Sequence, residues 1–222
     1  MRDIFVQQLL ELAKLDRRLL LITGDLGFSV FEKFATACPK QFLNVGVAEQ
    51  NMTGIATGLA LEGRVVFTYS IGNFPTLRCL EQIRNDACYH EANVNVVSIG
   101  GGFSYGALGF SHHATEDLAI LRALPNMTVV APGDTWEVSE ATKALVQKKG
   151  VGFLRLDRAS MQRDAEVGET FTLGKARIYR DGTDATLIAT GSIVEEAWKA
   201  AAVLSTQGIE CRVVSMHTLK PL

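Results

Sequence analysis

The sequence predicts an α/β fold, a mainly parallel sheet with helices on both faces, and three observations predict it. Apolar runs of strand length alternate with segments of helical periodicity. The strand-like runs, such as Leu19-Leu20-Leu21-Ile22 and Val65-Val66-Phe67-Thr68-Tyr69, are apolar on both faces, as strands covered on two sides must be. With 47% hydrophobic residues and 8% aromatics, the 222-residue chain can bury a sizeable core.

Each element has its own signal. Ile4, Phe5, Leu9 and Leu12 recur at helical spacing, and Leu19 to Ile22 follow as a buried strand. Phe42-Leu43-Asn44-Val45 is a second short strand that runs into a helix from about Ala48 to Leu61. That helix is rich in Gly, Ala and Thr, small enough to approach another backbone closely, so it is expected deep in the fold rather than on its surface. Val65 to Tyr69 is the next strand, and Phe74 to Tyr89 reads as a helix. Asn95 to Ile99 is a strand entering a glycine-rich loop from Gly100 to Gly109. Thr115 to Leu124 is helical and stops at Pro125; Met127 to Val130 is a strand ended by Pro132. Asp134 to Gln147 is a helix, and Gly152 to Leu156 closes the set. In such a sheet the active residues belong in the loops at the carboxyl ends of the strands.

Arg163 to Thr170 is polar and reads as a linker. Beyond it Ala185 to Thr190, Val194 to Ser205 and Glu210 to Ser215 read as strand, helix and strand, the start of a second α/β unit. The expected division is a first domain over 1–162, a linker over 163–170 and an incomplete second domain over 171–222. So small a unit buries too little to stand alone. Either the sequence is truncated there, or the unit packs on the first domain.

The net charge of -2 comes from 22 basic and 24 acidic residues spread without long runs, which argues against a nucleic-acid surface or a polybasic membrane patch. No apolar stretch approaches the roughly 20 residues that span a bilayer. The early charges and helical spacing of the N-terminus do not form a signal peptide. Cys38, Cys79, Cys88 and Cys211 form no CxxC pair and match no zinc spacing, so reduced thiols in a cytoplasmic protein are expected.

The most informative stretch is Asn44-Val45-Gly46-Val47-Ala48-Glu49-Gln50-Asn51-Met52. A strand ends, small residues make a close turn, and Glu49 stands as a lone acid in the first turn of an apolar, Gly-rich helix. From pattern alone, a catalytic carboxylate and an acid that merely favours a helix start are both open. Four further blocks accompany it: Gly24-Asp25-Leu26-Gly27-Phe28-Ser29; Asn73-Phe74 through Glu81-Gln82-Ile83-Arg84-Asn85; Ser111-His112-His113-Ala114-Thr115-Glu116-Asp117; and Leu124-Pro125-Asn126 through Pro132-Gly133-Asp134. Together, in order and spacing, they resemble the pyrimidine-binding domain of the transketolase family, over about Arg2 to Arg158.

The resemblance implies the thiamine-diphosphate-binding fold of pyrimidine type and ketol transfer, a two-carbon unit moved between sugars or sugar phosphates. It implies that Glu49 hydrogen-bonds the ring nitrogen of the cofactor's aminopyrimidine, that Phe74 stacks on that ring, and that Asp25 is among the cofactor contacts. His112 falls on a family histidine that contacts substrate and shuttles protons. Arg2, Ser29 and Arg158 match phosphate contacts. Departures also stand out: Gly100 occupies a position where many members carry histidine, Leu108 one where they carry aspartate, and Ile71 one where a second aromatic is common. These leave the substrate open.

Enzymes of this kind hold the diphosphate through Mg²⁺ on another domain, with a Gly-Asp-Gly turn and a later Asn-Asn pair. Gly24-Asp25-Leu26 with Gln50-Asn51 is not that motif: Leu26 breaks the turn, the paired asparagine is absent, and these residues already belong to the pyrimidine-domain match. The expectation is therefore a separate subunit that needs a diphosphate-binding partner, with Mg²⁺ bound by that partner and no metal site in this chain. It would be a homodimer alone and α2β2 with the partner. Two related activities share the same residues, a deoxyxylulose-phosphate-synthase-like carboligase and a 2-oxo-acid dehydrogenase beta subunit; a non-catalytic interaction module of the same fold is the third alternative.

Overall fold

In the computed structural model, residues 1–222 are described except Phe28, Ala159, Ser160, Asp164, Glu166 and Val167. Phe28 of the Gly24–Ser29 block and three residues of the expected linker thus lie outside the described residues.

The chain begins with helix α1 (Arg2–Leu15), which buries Phe5, Val6, Leu9 and Ala13 along one stripe. Strand β1 (Leu19–Thr23) is buried at every position. Helix α2 (Glu32–Ala37) and strand β2 (Phe42–Asn44) lead into helix α3 (Glu49–Leu61). Strand β3 (Val65–Ile71) is followed by a short helix α4 (Leu80–Gln82) that widens into a π-helical turn over Ile83–Cys88. Strand β4 (Val94–Ile99), helix α5 (Asp117–Ala123), strand β5 (Thr128–Val130), helix α6 (Thr135–Gln147) and strand β6 (Gly152–Leu156) complete the first body. The second holds β7 (Arg177–Arg180), β8 (Ala185–Ala189), α7 (Val194–Ser205) and β9 (Cys211–Ser215), and β10 (Thr218–Lys220) returns to the first.

Seven strands form the main sheet in the order β10-β5-β6-β4-β3-β1-β2, every pairing parallel except β10 with β5. The fold class read from the sequence is therefore present. Alternation along each strand sends side chains to opposite faces. Leu19, Leu21, Phe67 and Tyr69 join the core beneath α1 and α6, while Leu20, Ile22 and Val66 join the one beneath α3 and the π-helical turn.

Two expectations are corrected, and three elements are added to those expected. Helix α3 buries only the stripe Glu49, Met52, Thr53, Ala56, Thr57 and Ala60; Gln50, Asn51, Gly54, Gly58 and Leu61 face outward, so it is half-buried rather than deep. The stretch Phe74–Tyr89 is not one helix. Its first residues turn tightly, with the Phe74 amide donating to the Ile71 carbonyl and the Arg78 amide to that of Asn73, and regular winding starts only at Leu77. Strands β7 and β10 and helix α2 are additions that the sequence pattern does not announce.

The small C-terminal unit packs on the first body. Beyond β10, the Gly191 amide donates to the Ala131 carbonyl (3.0 Å) and the Ser192 amide to Asp157 Oδ2 (2.7 Å). At the seam lies a buried ionic network. Asp134 caps α6 by accepting from the Glu137 amide, and Glu137 Oε2 reaches back to the Gly133 amide (each 2.7 Å), a reciprocal cap. Arg177 from β7 donates to Asp134 Oδ2 at 2.5 Å, pairs with Glu169, and lies between the Trp136 and Tyr179 rings. One guanidinium thus faces three carboxylates. Burial first, then the Asp134 charge, pushes Glu137 up to about 7, although the Gly133 amide, Ser215 and Arg177 act the other way.

A raised folded-state value means that Glu137 contributes stability fully below about pH 4.5 and that this is lost as pH rises through about 7. Urea unfolding across that range should show stability falling with pH, by up to about 3 kcal/mol from this group. Glu137→Gln should flatten the slope; an unchanged slope would contradict the assignment.

Candidate active site

Every residue singled out from the sequence lies at or just beyond the carboxyl edge of the main sheet, except Arg2, which starts the helix packed against it. Gly24 and Asp25 follow β1, Glu49 follows β2, Phe74 follows β3, His112 belongs to the loop after β4, and Arg158 follows β6.

Asp25 has a left-handed backbone (φ 59°) and exchanges hydrogen bonds with Asn44: its amide donates to Asn44 Oδ1 at 3.0 Å, and Asn44 Nδ2 donates to Asp25 Oδ1 at 3.1 Å. Asn44 Oδ1 also accepts from the Gly46 amide. This clamp fixes the turn that delivers Glu49. Gly24 is needed beside it, because a Cβ there would stand 3.2 Å from the Gly46 carbonyl and 3.5 Å from Glu49 Cγ.

Glu49 heads the buried stripe of α3 and is only 3% exposed. Arg78 Nη1 donates to its Oε2 at 2.9 Å, the one hydrogen bond to that carboxylate among the described residues. The same guanidinium lies over the Phe74 ring, 4.5 Å from its centroid. Phe74 in turn meets the His112 imidazole at 5.1 Å, and His112 Nδ1 is paired with Ser111 Oγ at 3.0 Å. Glu49, Phe74 and His112 are therefore brought together, and Arg78, which sequence reasoning passed over, joins them. Its spacing from Phe74 could have drawn attention only with the tight turn known in advance.

The approach of His112 depends on Gly72 (φ 53°), where a Cβ would sit 2.5 Å from the His112 carbonyl oxygen. His113 goes elsewhere, edge-on to Phe103 with Nε2 on the Gly106 carbonyl. The glycine-rich loop is closed by paired backbone bonds between Gly102 and Ala114 and anchored by the Gly101 amide on Asp157 Oδ1. Beneath it Arg155, between Asp117 (3.7 Å) and Asp157 (3.5 Å), carries charge that the sequence did not flag. Burial raises Asp117 although Arg155 opposes it.

Arg2 and Arg158 line one cavity of about 360 Å³ with Tyr69, Ile71, Ile99 and Tyr105. Ser29 does not line it: it sits nearby in a left-handed turn (φ 61°), its amide donating to Glu32 Oε1. Gly27 reaches that wall instead. Among the described residues, no group of three or more His, Cys, Asp or Glu could hold a metal ion, and no helix is long and apolar enough to cross a membrane.

A parallel sheet whose carboxyl edge gathers a buried glutamate, an aromatic ring and a histidine defines an α/β protein with its site in the strand-end loops. Residues 1–163 match the transketolase pyrimidine-binding domain and residues 174–222 the transketolase C-terminal domain. The chain belongs to the transketolase family. It is 39% identical over its whole length to one subunit of the apulose-4-phosphate transketolase of Phocaeicola vulgatus, covering 72% of that protein. It is 37% identical, again over its whole length, to the 6-deoxy-6-sulfo-D-fructose transketolase subunit SqwH of Clostridium sp. strain MSTE9, covering 69% of it. A split-gene transketolase solved as an inactive beta4 tetramer is similar at a TM-score of 0.89 and 34% identity, covering 99% of this chain and 72% of that one.

Removing the cation from the Glu49 carboxylate should be measurable in the free chain. Arg78→Met is expected to lower unfolding free energy by about 1–2 kcal/mol, the half-exposed arginine keeping the loss below that of a fully buried pair. Adding Glu49→Gln, which removes the charge, should recover most of it. Wild-type stability in Arg78→Met would show that the pair contributes nothing.

Proposed function

We propose that this chain is the pyrimidine-binding subunit of a split, thiamine-diphosphate-dependent ketol transferase acting on sugars or sugar phosphates. The observation that carries this reading is the buried Glu49 carboxylate, joined to the face of Phe74 through the Arg78 guanidinium. The site already holds a planar, hydrogen-bond-donating group there: the Arg78 guanidinium lies on the ring and bonds the acid. An aminopyrimidine is likewise planar and donates when its ring nitrogen is protonated, so the residues fit it.

When bound, thiamine diphosphate supplies the electron sink for cleaving and forming the carbon–carbon bond. This chain's residues supply the rest. Glu49 holds the proton at the pyrimidine ring nitrogen, Phe74 packs on the ring, and Asp25 with Asn44 keeps the Glu49 turn in place beside it. His112, against Phe74, donates to the substrate oxygen and moves its proton. Arg2 and Arg158 hold the anionic end of the substrate, with Ser29 at the margin. The diphosphate and its Mg²⁺ are held by a partner subunit, two copies of each chain forming the α2β2 enzyme in the cytoplasm; alone, this chain is a homodimer. In the chain, residues 1–162 form the pyrimidine-binding domain, 163–170 the linker and 171–222 the second domain. The inactive beta4 form of the split-gene relative is in keeping with the need for a partner.

In the complex with a diphosphate-binding subunit, Glu49→Gln should lower single-turnover ketol transfer by at least about 10²-fold, the scale of lost acid–base catalysis, with an unchanged circular dichroism spectrum. Near-normal turnover would refute the reading. Titration calorimetry with thiamine diphosphate and Mg²⁺ should give binding to the complex; no binding with any diphosphate-binding subunit would favour a non-catalytic module.

A further inference from the structure

The loop after β4 replaces one side chain with another. Gly100 takes φ 91°, and a Cβ built on it would lie 2.2 Å from Tyr105 Cε2 and 2.7 Å from Cδ2. The tyrosine ring therefore fills the volume that a side chain at position 100 would claim. It is held there by the loop's own bonds: Ser104 Oγ and the Ser104 amide both return to the Gly101 carbonyl, and the Gly106 amide donates to that of Phe103.

From that place Tyr105 faces the cavity it shares with Arg2 and Arg158. The Arg158 guanidinium lies 5.3 Å from its ring centroid, and the His112 imidazole lies 5.7 Å from it. Arg2 is not a free cation, because its Nε donates to Asp3 Oδ1 at 2.9 Å and Asp3 also lines the cavity. An oxyanion entering here thus meets one carboxylate as well as two guanidiniums, and neutral donors gain weight. The Tyr105 hydroxyl makes no hydrogen bond among the described residues. Burial pushes its pKa up while Arg158 and Arg2 pull it down, and the net shift is upward, so the group stays a donor.

We propose that Tyr105 determines substrate specificity, its hydroxyl donating a hydrogen bond to the terminal tetrahedral oxyanion of the sugar between Arg2 and Arg158. Gly100 is the positioning residue that leaves room for it. The proposal rests on the ketol-transfer reading and narrows it: substrates carry their anion at the end remote from the reacting carbonyl, spanning the distance from His112 to Tyr105.

Two measurements test it. In the assembled enzyme with a fixed ketose donor, Tyr105→Phe should raise KM for glyceraldehyde 3-phosphate about tenfold, the equivalent of about 1.4 kcal/mol, with a much smaller change in kcat. KM for unphosphorylated glyceraldehyde should move less than about threefold on the same scale. Gly100→Ala, which evicts the ring, should reproduce the loss, and the Gly100→Ala/Tyr105→Phe double variant should be no worse than Gly100→Ala. Equal changes for the two acceptors, or none, would overturn the proposal. Inorganic phosphate titrated into the free chain gives a readout independent of turnover: Tyr105→Phe should weaken its binding severalfold. Absence of phosphate binding by the wild-type chain would overturn the proposal too. A complex without ketol transfer that retains Tyr105-dependent phosphate binding would instead sink the ketol-transfer reading alone.

Discussion

The site is organised by the requirement that a carboxylate withdrawn from water have a partner. Glu49 is held on the buried side of α3 by the stripe that continues through Met52, Thr53 and Ala56. Taking a charge out of water costs several kcal/mol unless a donor answers it. Arg78 answers it, and it can reach only because the chain after β3 turns tightly at Asn73–Thr76 instead of entering a helix. Phe74 is presented by the same turn, so acid, cation and ring are consequences of one local conformation.

The second constraint is the seating of the loop that brings His112 to Phe74. Its glycines would leave it loose, but Asp157 at the end of β6 binds both the Gly101 amide and the Ser192 amide of the C-terminal unit. Arg155 lies against Asp157 and Asp117, and a Cβ at Gly101 would stand 2.2 Å from Arg155 Nε. The loop, α5 and the second body are therefore tied to two nearby residues, Arg155 on β6 and Asp157 just past its end. On the proposed function, this couples the substrate rim mechanically to the C-terminal unit.

Much of the fold was legible because buried parallel strands announce themselves as short, doubly apolar runs: β6 at Gly152–Leu156 and α7 at Val194–Ser205 have the limits expected of them. What escaped was structure decided by distant partners. Arg177–Arg180 sets only Ile178 and Tyr179 between two arginines and becomes β7 only by pairing with β9, and Thr218–Lys220 becomes β10 only against β5. The breadth of α3's exposed side was misjudged because small residues permit close packing without compelling it: nothing lies within 4 Å of a Cβ at Gly54 or Gly58. In the candidate site, the residues that the structure brings together, Glu49, Phe74 and His112, could be picked out through motif order. Arg78 and Tyr105 were not, since neither a surface arginine in a helical stretch nor a tyrosine among glycines reveals what it faces.

The geometry also bears on how a cofactor would enter on the proposed reading. A bare buried carboxylate would have to be stripped of water before it could bond a pyrimidine. Here the carboxylate already has a cationic donor on the same aromatic face, and Arg78, with 45% of its side chain exposed, has solvent to move into. Binding would then exchange one donor on Glu49 for another, and the displaced cation would regain hydration. The net cost is the difference between two similar contacts rather than the desolvation of a lone charge. A long, half-exposed arginine would serve this exchange better than a buried one, since it would have solvent rather than core to move into.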